Sequence, residues 1–119
     1  MEKILLTGGS GMLGKSILKV FNNKKFKIYY PKRKDLDLSN SKKVFDFLIK
    51  KKITSVIHAA GRVGGIQDNI NFPHSYLYEN MSINNGVIEA SRKLKVKKFL
   101  FIGSSCMYPK NINKPILEE

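Results

Sequence analysis

The chain has 119 residues, enough for one hydrophobic core and too few for a second domain. Apolar residues make up 42% and charged residues 26%, a globular balance that argues against disorder. The formal charge of +13 comes from lysines spread over every segment, with no basic stripe and no interleaved aromatics. It reads as a solvated surface biased toward anions, not a nucleic-acid footprint. No apolar run approaches the roughly 18 residues of a membrane span, and the first apolar run is too short for a signal-peptide core. A cytoplasmic location is therefore expected. The single cysteine, Cys106, excludes an intramolecular disulfide and a Cys-rich zinc site. His58 and His74 lack metal-ligand spacing, so no metal is expected.

Residues 3–7 (KILLT) run apolar straight into Gly8, as a buried parallel strand does. Residues 12–22 follow with Leu13, Ile17, Leu18 and Phe21 at helical spacing. Residues 26–30 read as a second strand, stopped by Pro31. Ser39, Asn40 and Ser41 offer caps to a helix whose apolar face is Val44, Phe45, Leu48 and Ile49. Residues 55–60 (SVIHAA) form a third strand, and the Gly-rich stretch 61–71 reads as a loop. Pro73 opens a helix that runs to about Leu94, residues 98–103 (KFLFIG) are a fourth strand, and the tail from Ser104 is irregular.

The order βαβαβαβ predicts an α/β fold, a doubly wound parallel sheet of the Rossmann type, with residues 1–119 as the N-terminal part of one dinucleotide-binding domain. In the usual order the four strands would lie 3-2-1-4, leaving residues 98–103 on an edge.

The first strand-to-helix turn reads Thr7-Gly8-Gly9-Ser10-Gly11-Met12-Leu13-Gly14, with glycines at 8, 11 and 14. Gly8 permits a tight exit from the strand, Gly11 lets backbone approach a pyrophosphate, and Gly14 lets the helix pack on the strand. The pyrophosphate would sit on the helix N-terminus, where free N–H groups and the helix dipole favour anions. The alternative is a purely structural turn. At the end of the second strand a NAD site places a carboxylate; here Arg33 stands 19 positions after Gly14. A guanidinium suits the 2′-phosphate of NADP, the alternative being a basic surface loop. Asp37 and Leu38 are placed to line the adenine pocket.

These residues, with Ala59-Ala60-Gly61 and Ser104-Ser105, resemble the extended short-chain dehydrogenase/reductases. Residues 58–66 (HAAGRVGGI) followed by Asn69 and Pro73, and residues 103–110 (GSSCMYPK), are similar to stretches of the GDP-L-fucose synthase family. That resemblance covers the whole chain and implies only the N-terminal part of such an enzyme. It implies NADPH as cofactor and a GDP-sugar as substrate, epimerised at C3 and C5 and reduced at C4. It implies no nucleic-acid or membrane partner, and a homodimer in the full-length enzyme. Cofactor contacts would come from Gly8, Gly9, Ser10, Gly11, Met12, Leu13, Gly14, Arg33, Asp37, Leu38, Ala59, Ala60, Ile102, Gly103, Ser104 and Ser105. Ser104 would hydrogen-bond the 4-keto oxygen, and Cys106 would exchange protons at the sugar carbons. A capped turn at Ser104 and a small buried hydrophobe at Cys106 are the structural alternatives.

Two departures stand out. Ser10 occupies a position where the family often carries a basic residue. The catalytic Tyr-x-x-x-Lys pair and the epimerase histidine are absent; Tyr30 and Lys34 have the spacing but lie on the adenine side, interrupted by Pro31. Without that pair the chain alone is expected to be inactive. His58 reads as core and His74 as surface. Other nucleotide-sugar enzymes of the family, and a non-catalytic dinucleotide-binding module, are the alternative functions.

Overall fold

The computed structural model describes residues 1–21, 25–109, 111 and 113–117. The elements in order are β1 (Glu2–Thr7), α1 (Met12–Val20), β2 (Phe26–Tyr29), α2 (Ser41–Lys51), β3 (Ser55–His58), α3 (Ile66–Asn71), α4 (Pro73–Leu94) and β4 (Lys98–Phe101). A 3₁₀ turn, Ser105–Met107, is the last element among the described residues. The α/β fold class is as expected.

The strand order is not 3-2-1-4. All four strands run parallel in the order β2-β1-β3-β4, so Ser55–His58 is interior, beside β1 on one side and β4 on the other. Burial explains it: every residue of β3 is buried, as a strand flanked on both sides and covered on both faces must be. β4 does lie on an edge, and all four of its residues are exposed.

Right-handed crossovers then assign the faces. The step from β1 to β2 goes one way, so α1 covers one face; the steps to β3 and β4 go the other way, so α2 and α4 cover the opposite face. The cores agree. Ile4, Leu6 and Ile57 pack with Ile17, Leu18 and Phe21 beneath α1. Leu5, Val56, Val44, Leu48, Val87 and Ala90 form the larger core beneath α2 and α4. Alternation along β1 sends Leu5 to one face and Ile4 and Leu6 to the other. Gly86 lets α4 close on the α2 side, since a Cβ there would overlap the Leu38 carbonyl.

Helix ends follow local chemistry. Asn40 caps α2, its Oδ1 accepting from the Lys43 N–H at 3.0 Å. Lys52 and Lys95 close α2 and α4 in the left-handed region, at φ 56° and 55°.

The stretch expected to be a loop, 61–71, contains the short helix α3. Gly64-Gly65 and a run of Asn and β-branched residues conceal it in the sequence. It is held from outside by the Tyr76 hydroxyl, which donates to Asp68, and at its own start by Asn69 Nδ2, which donates to the carbonyls of Gly64 and Gly65. Four expected elements end earlier: β2 stops at Tyr29, β3 at His58, β4 at Phe101 and α1 at Val20, with Asn22 outside the described residues.

Candidate nucleotide site

Because the strands are parallel, the segments leaving β1, β2, β3 and β4 all emerge at one end of the sheet. The chain reverses direction of winding between β1 and β3, and the crevice beyond their carboxyl ends is where such sheets receive ligands. The glycine turn leaves β1 there, and Ala59-Ala60-Gly61 leaves β3 beside it.

Gly8 is fixed by both geometry and space. Its φ is +71°, and a Cβ would stand 2.5 Å from the Ala59 carbonyl oxygen. A Cβ on Gly14 would overlap the Gly8 carbonyl, so the start of α1 presses directly on the turn. A Cβ on Gly9 would stand 2.6 Å from Cβ of Tyr30, the residue leaving β2. Gly11 is different: only the Gly8 carbonyl comes near, at 3.3 Å. Gly11 is the N-cap of α1 and supplies no side-chain hydrogen bond, which leaves the first-turn N–H groups of the helix for another acceptor. Ser10, Met12 and Leu13 are exposed around it. The helix start thus offers free donors and open space above Gly11, and this fits a diphosphate.

A buried hydrogen-bond chain, unseen in the sequence, ties this crevice together. The N–H groups of Ala59 and Ala60 donate to Thr7 Oγ1 at 3.1 and 3.2 Å. With both accepted, the Thr7 hydroxyl proton goes to His58 Nδ1, 2.6 Å away. His58 Nε2 then carries the ring proton and donates to Asn84 Oδ1 of α4 at 3.0 Å. His58 is therefore a neutral imidazole of defined tautomer; burial lowers its pKa, and the Asn84 bond opposes this only in part. Its burial matches the core reading, and His74 is exposed and stacked on Tyr78. Thr7 could have been noticed as the one polar residue at the end of an apolar strand; Asn84 gave no signal.

Arg33 is exposed beyond β2, and its Nη2 lies 3.9 Å from Oε2 of Glu79 on α4. The other oxygen of Glu79 accepts from Arg62 Nη1 at 2.8 Å. Arg62 follows Gly61 at the exit of β3; its guanidinium sits 4.6 Å above the Tyr76 ring. Its backbone exchanges two hydrogen bonds with the Asn80 side chain, at 2.7 and 3.1 Å. The Glu79 hydrogen bond raises the Arg62 pKa further. Glu79 had one clue in the sequence: no cation stands three or four residues away on its own helix.

Asp37 accepts from the Ser39 N–H at 3.0 Å and from its hydroxyl at 2.6 Å, and these bonds hold its carboxyl below the usual range. Leu38 is half-buried against the α2–α4 core. Beyond β4, the Ile102 N–H donates to the His58 carbonyl at 3.0 Å, tying this exit to that of β3. Gly103 follows, exposed, with Met107 Sδ 3.3 Å from where its Cβ would be. Ser104 Oγ accepts from the Cys106 N–H at 3.2 Å, so the capped turn is formed. Ser105 begins the 3₁₀ turn. Cys106 is exposed, which removes the reading of it as a buried hydrophobe. Among the described residues there is no cluster able to hold a metal, and no helix is long and apolar enough to cross a membrane.

Residues 4–119 match the NAD dependent epimerase/dehydratase family. The chain is 43% identical over 117 residues to a GDP-L-colitose synthase of Yersinia pseudotuberculosis, covering 98% of this chain and 38% of that protein. It is 39% identical over 118 residues to a GDP-L-fucose synthase of Sinorhizobium fredii, covering 99% and 38%. Among solved structures, a GDP-mannoheptose C4 reductase from Campylobacter jejuni with NADP bound superposes with a TM-score of 0.86 at 32% identity, covering 98% of this chain and 34% of that one. A GDP-L-fucose synthetase from Naegleria fowleri bound to NADP gives 0.80 at 34% identity, covering 98% and 38%. The chain thus spans little more than a third of the length of these relatives.

Proposed function

This chain belongs to the NAD dependent epimerase/dehydratase family, and on that premise we propose that it is the nucleotide-binding part of an NADPH-dependent enzyme converting GDP-4-keto-6-deoxymannose to GDP-L-fucose. The observation that carries this reading is the convergence of four exit segments at one end of a parallel sheet. The glycine turn, Arg33, Ala59-Ala60 and Ser104-Ser105-Cys106 all leave strands in the same direction. Gly8 to Gly14 would cradle the diphosphate, Arg33 would take the ribose 2′-phosphate, and Asp37, Leu38, Ala59 and Ala60 would border the adenosine half. Ile102, Gly103, Ser104 and Ser105 would flank the nicotinamide half.

When bound, NADPH supplies the hydride that reduces C4. The Ser104 hydroxyl hydrogen-bonds the 4-keto oxygen, where negative charge develops during reduction. The Cys106 thiol trades protons at the acidic carbons beside the ketone. The Tyr-x-x-x-Lys pair that completes such a site is not formed by Tyr30 and Lys34, so the 119 residues alone do not turn over substrate. Residues 1–119 are the first part of the cofactor domain, and the enzyme works in the cytoplasm. It works as a homodimer, supported by the apolar outer face of α4, where Leu77, Tyr78 and Met81 are exposed beside His74.

The 43% identity to a GDP-L-colitose synthase favours a second reading, in which the product is GDP-L-colitose. Cofactor choice is common to both and is tested first. Calorimetric titration should give tighter binding of NADPH than of NADH. Arg33→Ala should erase most of the difference, since a charge-assisted contact is worth about 1.5–3 kcal/mol. Equal affinity for both dinucleotides in the unmutated chain would overturn the assignment.

A further inference from the structure

Glu79 stands on α4 between two arginines that come from different strand exits. Its two oxygens are used unequally. Oε1 is engaged by Arg62 at 2.8 Å, while Oε2 faces Arg33 at 3.9 Å. Arg62 is restrained on several sides: by this carboxylate, by the Tyr76 ring beneath it and by Asn80 on its backbone. Arg33 is not; its side chain is 89% exposed, and its pairing with Glu79 is long and open. Asp37, whose carboxyl also feels the Arg33 charge, is already occupied by Ser39. A carboxylate and a phosphate monoester present a guanidinium with the same kind of paired acceptor oxygens, the phosphate carrying more charge. Any phosphate that reaches Arg33 therefore meets a resident anion.

We propose that Glu79 is a specificity-determining residue of the nucleotide site, an internal anion that competes for Arg33 and limits the advantage of a 2′-phosphorylated adenosine over an unphosphorylated one. Arg62 tunes the competition: by holding one oxygen of Glu79, it keeps part of that charge away from Arg33. The proposal rests on the reading of Arg33 as the ribose-phosphate ligand, and its test separates the two.

The probes are adenosine 2′,5′-bisphosphate and AMP, titrated calorimetrically into the chain, with far-UV circular dichroism as the folding control. The unmutated chain should favour the bisphosphate, and Arg33→Ala should remove that preference. Glu79→Gln should tighten the bisphosphate about fivefold, the upper worth of an exposed ion pair, and shift AMP by less than about twofold. Arg62→Gln should act in the opposite direction, weakening the bisphosphate by releasing Glu79 onto Arg33. Adding Glu79→Gln to it should restore the gain. A merely structural role for Glu79 would not produce opposite signs, and if Glu79→Gln fails to fold, Arg62→Gln carries the test alone. Weaker bisphosphate binding by Glu79→Gln, or equal shifts for both ligands, overturns the proposal, as does tighter binding by Arg62→Gln. If Arg33→Ala abolishes the preference and Glu79→Gln changes nothing, this inference alone falls. If the unmutated chain does not distinguish the probes, the Arg33 reading falls with it.

Discussion

Replacing Gly8 by alanine tests whether the β1 exit is built as described. Two costs add. At φ +71° a Cβ sits in the left-handed region, at about 1–2 kcal/mol for an L side chain. The new methyl would also stand 2.5 Å from the Ala59 carbonyl oxygen, 2.7 Å from its carbon and 2.9 Å from Ala60 Cα. Those are backbone atoms, and the two amides beside them are pinned to Thr7, so they yield only by disturbing the crevice, a strain of about 1–3 kcal/mol. The unfolded chain loses entropy on gaining a Cβ, which returns about 0.4–1 kcal/mol. The net is roughly 1–4.5 kcal/mol, or a melting temperature lower by about 4–20 °C for a domain of this size. Gly14→Ala should also destabilise, because its overlap with the Gly8 carbonyl exceeds the helix-propensity gain of about 1 kcal/mol. Gly11→Ala is the contrast: its Cβ meets only one atom, at 3.3 Å, so stability should change by less than about 1 kcal/mol. NADPH affinity should nonetheless fall about tenfold or more, since the methyl stands where a diphosphate must approach the backbone. Thermal melts and calorimetric titration of the three variants separate fold from site. A Gly8→Ala protein melting within about 3 °C of the unmutated chain would mean that the β1 exit is not packed against Ala59 in this way.

The remaining expectations concern pH, the sheet edge and the helix ends. Burial depresses the His58 pKa below 6.5, so the unfolded chain takes up the proton more readily; stability should be full above that value and decline as pH falls below it. Urea unfolding at about pH 7.5 and 5.5 should show this loss, and His58→Gln should flatten it. Glu89, held at about 2 by Arg92, stays charged across that window, and superposable pH slopes for the two proteins would contradict the assignment. On the edge strand, Phe99, Leu100 and Phe101 are exposed, so the chain should self-associate with rising concentration. Leu100→Lys should shift light scattering toward the monomer, and unchanged association would place the contact elsewhere. Lys52 and Lys95 bear side chains in the left-handed region; Lys52→Gly and Lys95→Gly should each raise stability by about 0.5–1 kcal/mol in denaturant titrations.

Local signals alone decided much of this protein. Gly8, Gly11 and Gly14 between an apolar run and a helical period specify a strand–turn–helix unit, because spacing and backbone freedom are properties of a few adjacent residues. The same holds for the start of α4 at Pro73 and for the cap at Asn40. Strand order lay beyond the sequence, since each of the four apolar runs would satisfy any neighbour. Only the burial of β3 on every side, with α1 on one face and α2 and α4 on the other, put it next to β1. Helix α3 was hidden for a related reason: its residues are poor helix formers, and Tyr76, eight positions after Asp68, supplies an external hold. The site divided along the same line. Residues acting through backbone at a turn were legible from their neighbours. The Thr7–His58–Asn84 chain joins groups 51 and 26 residues apart, and the Arg33–Glu79–Arg62 junction joins two strand exits to a helix face. Hydrogen bonds and ion pairs act over a few ångströms whatever the separation along the chain, so only the folded sheet could bring those groups together.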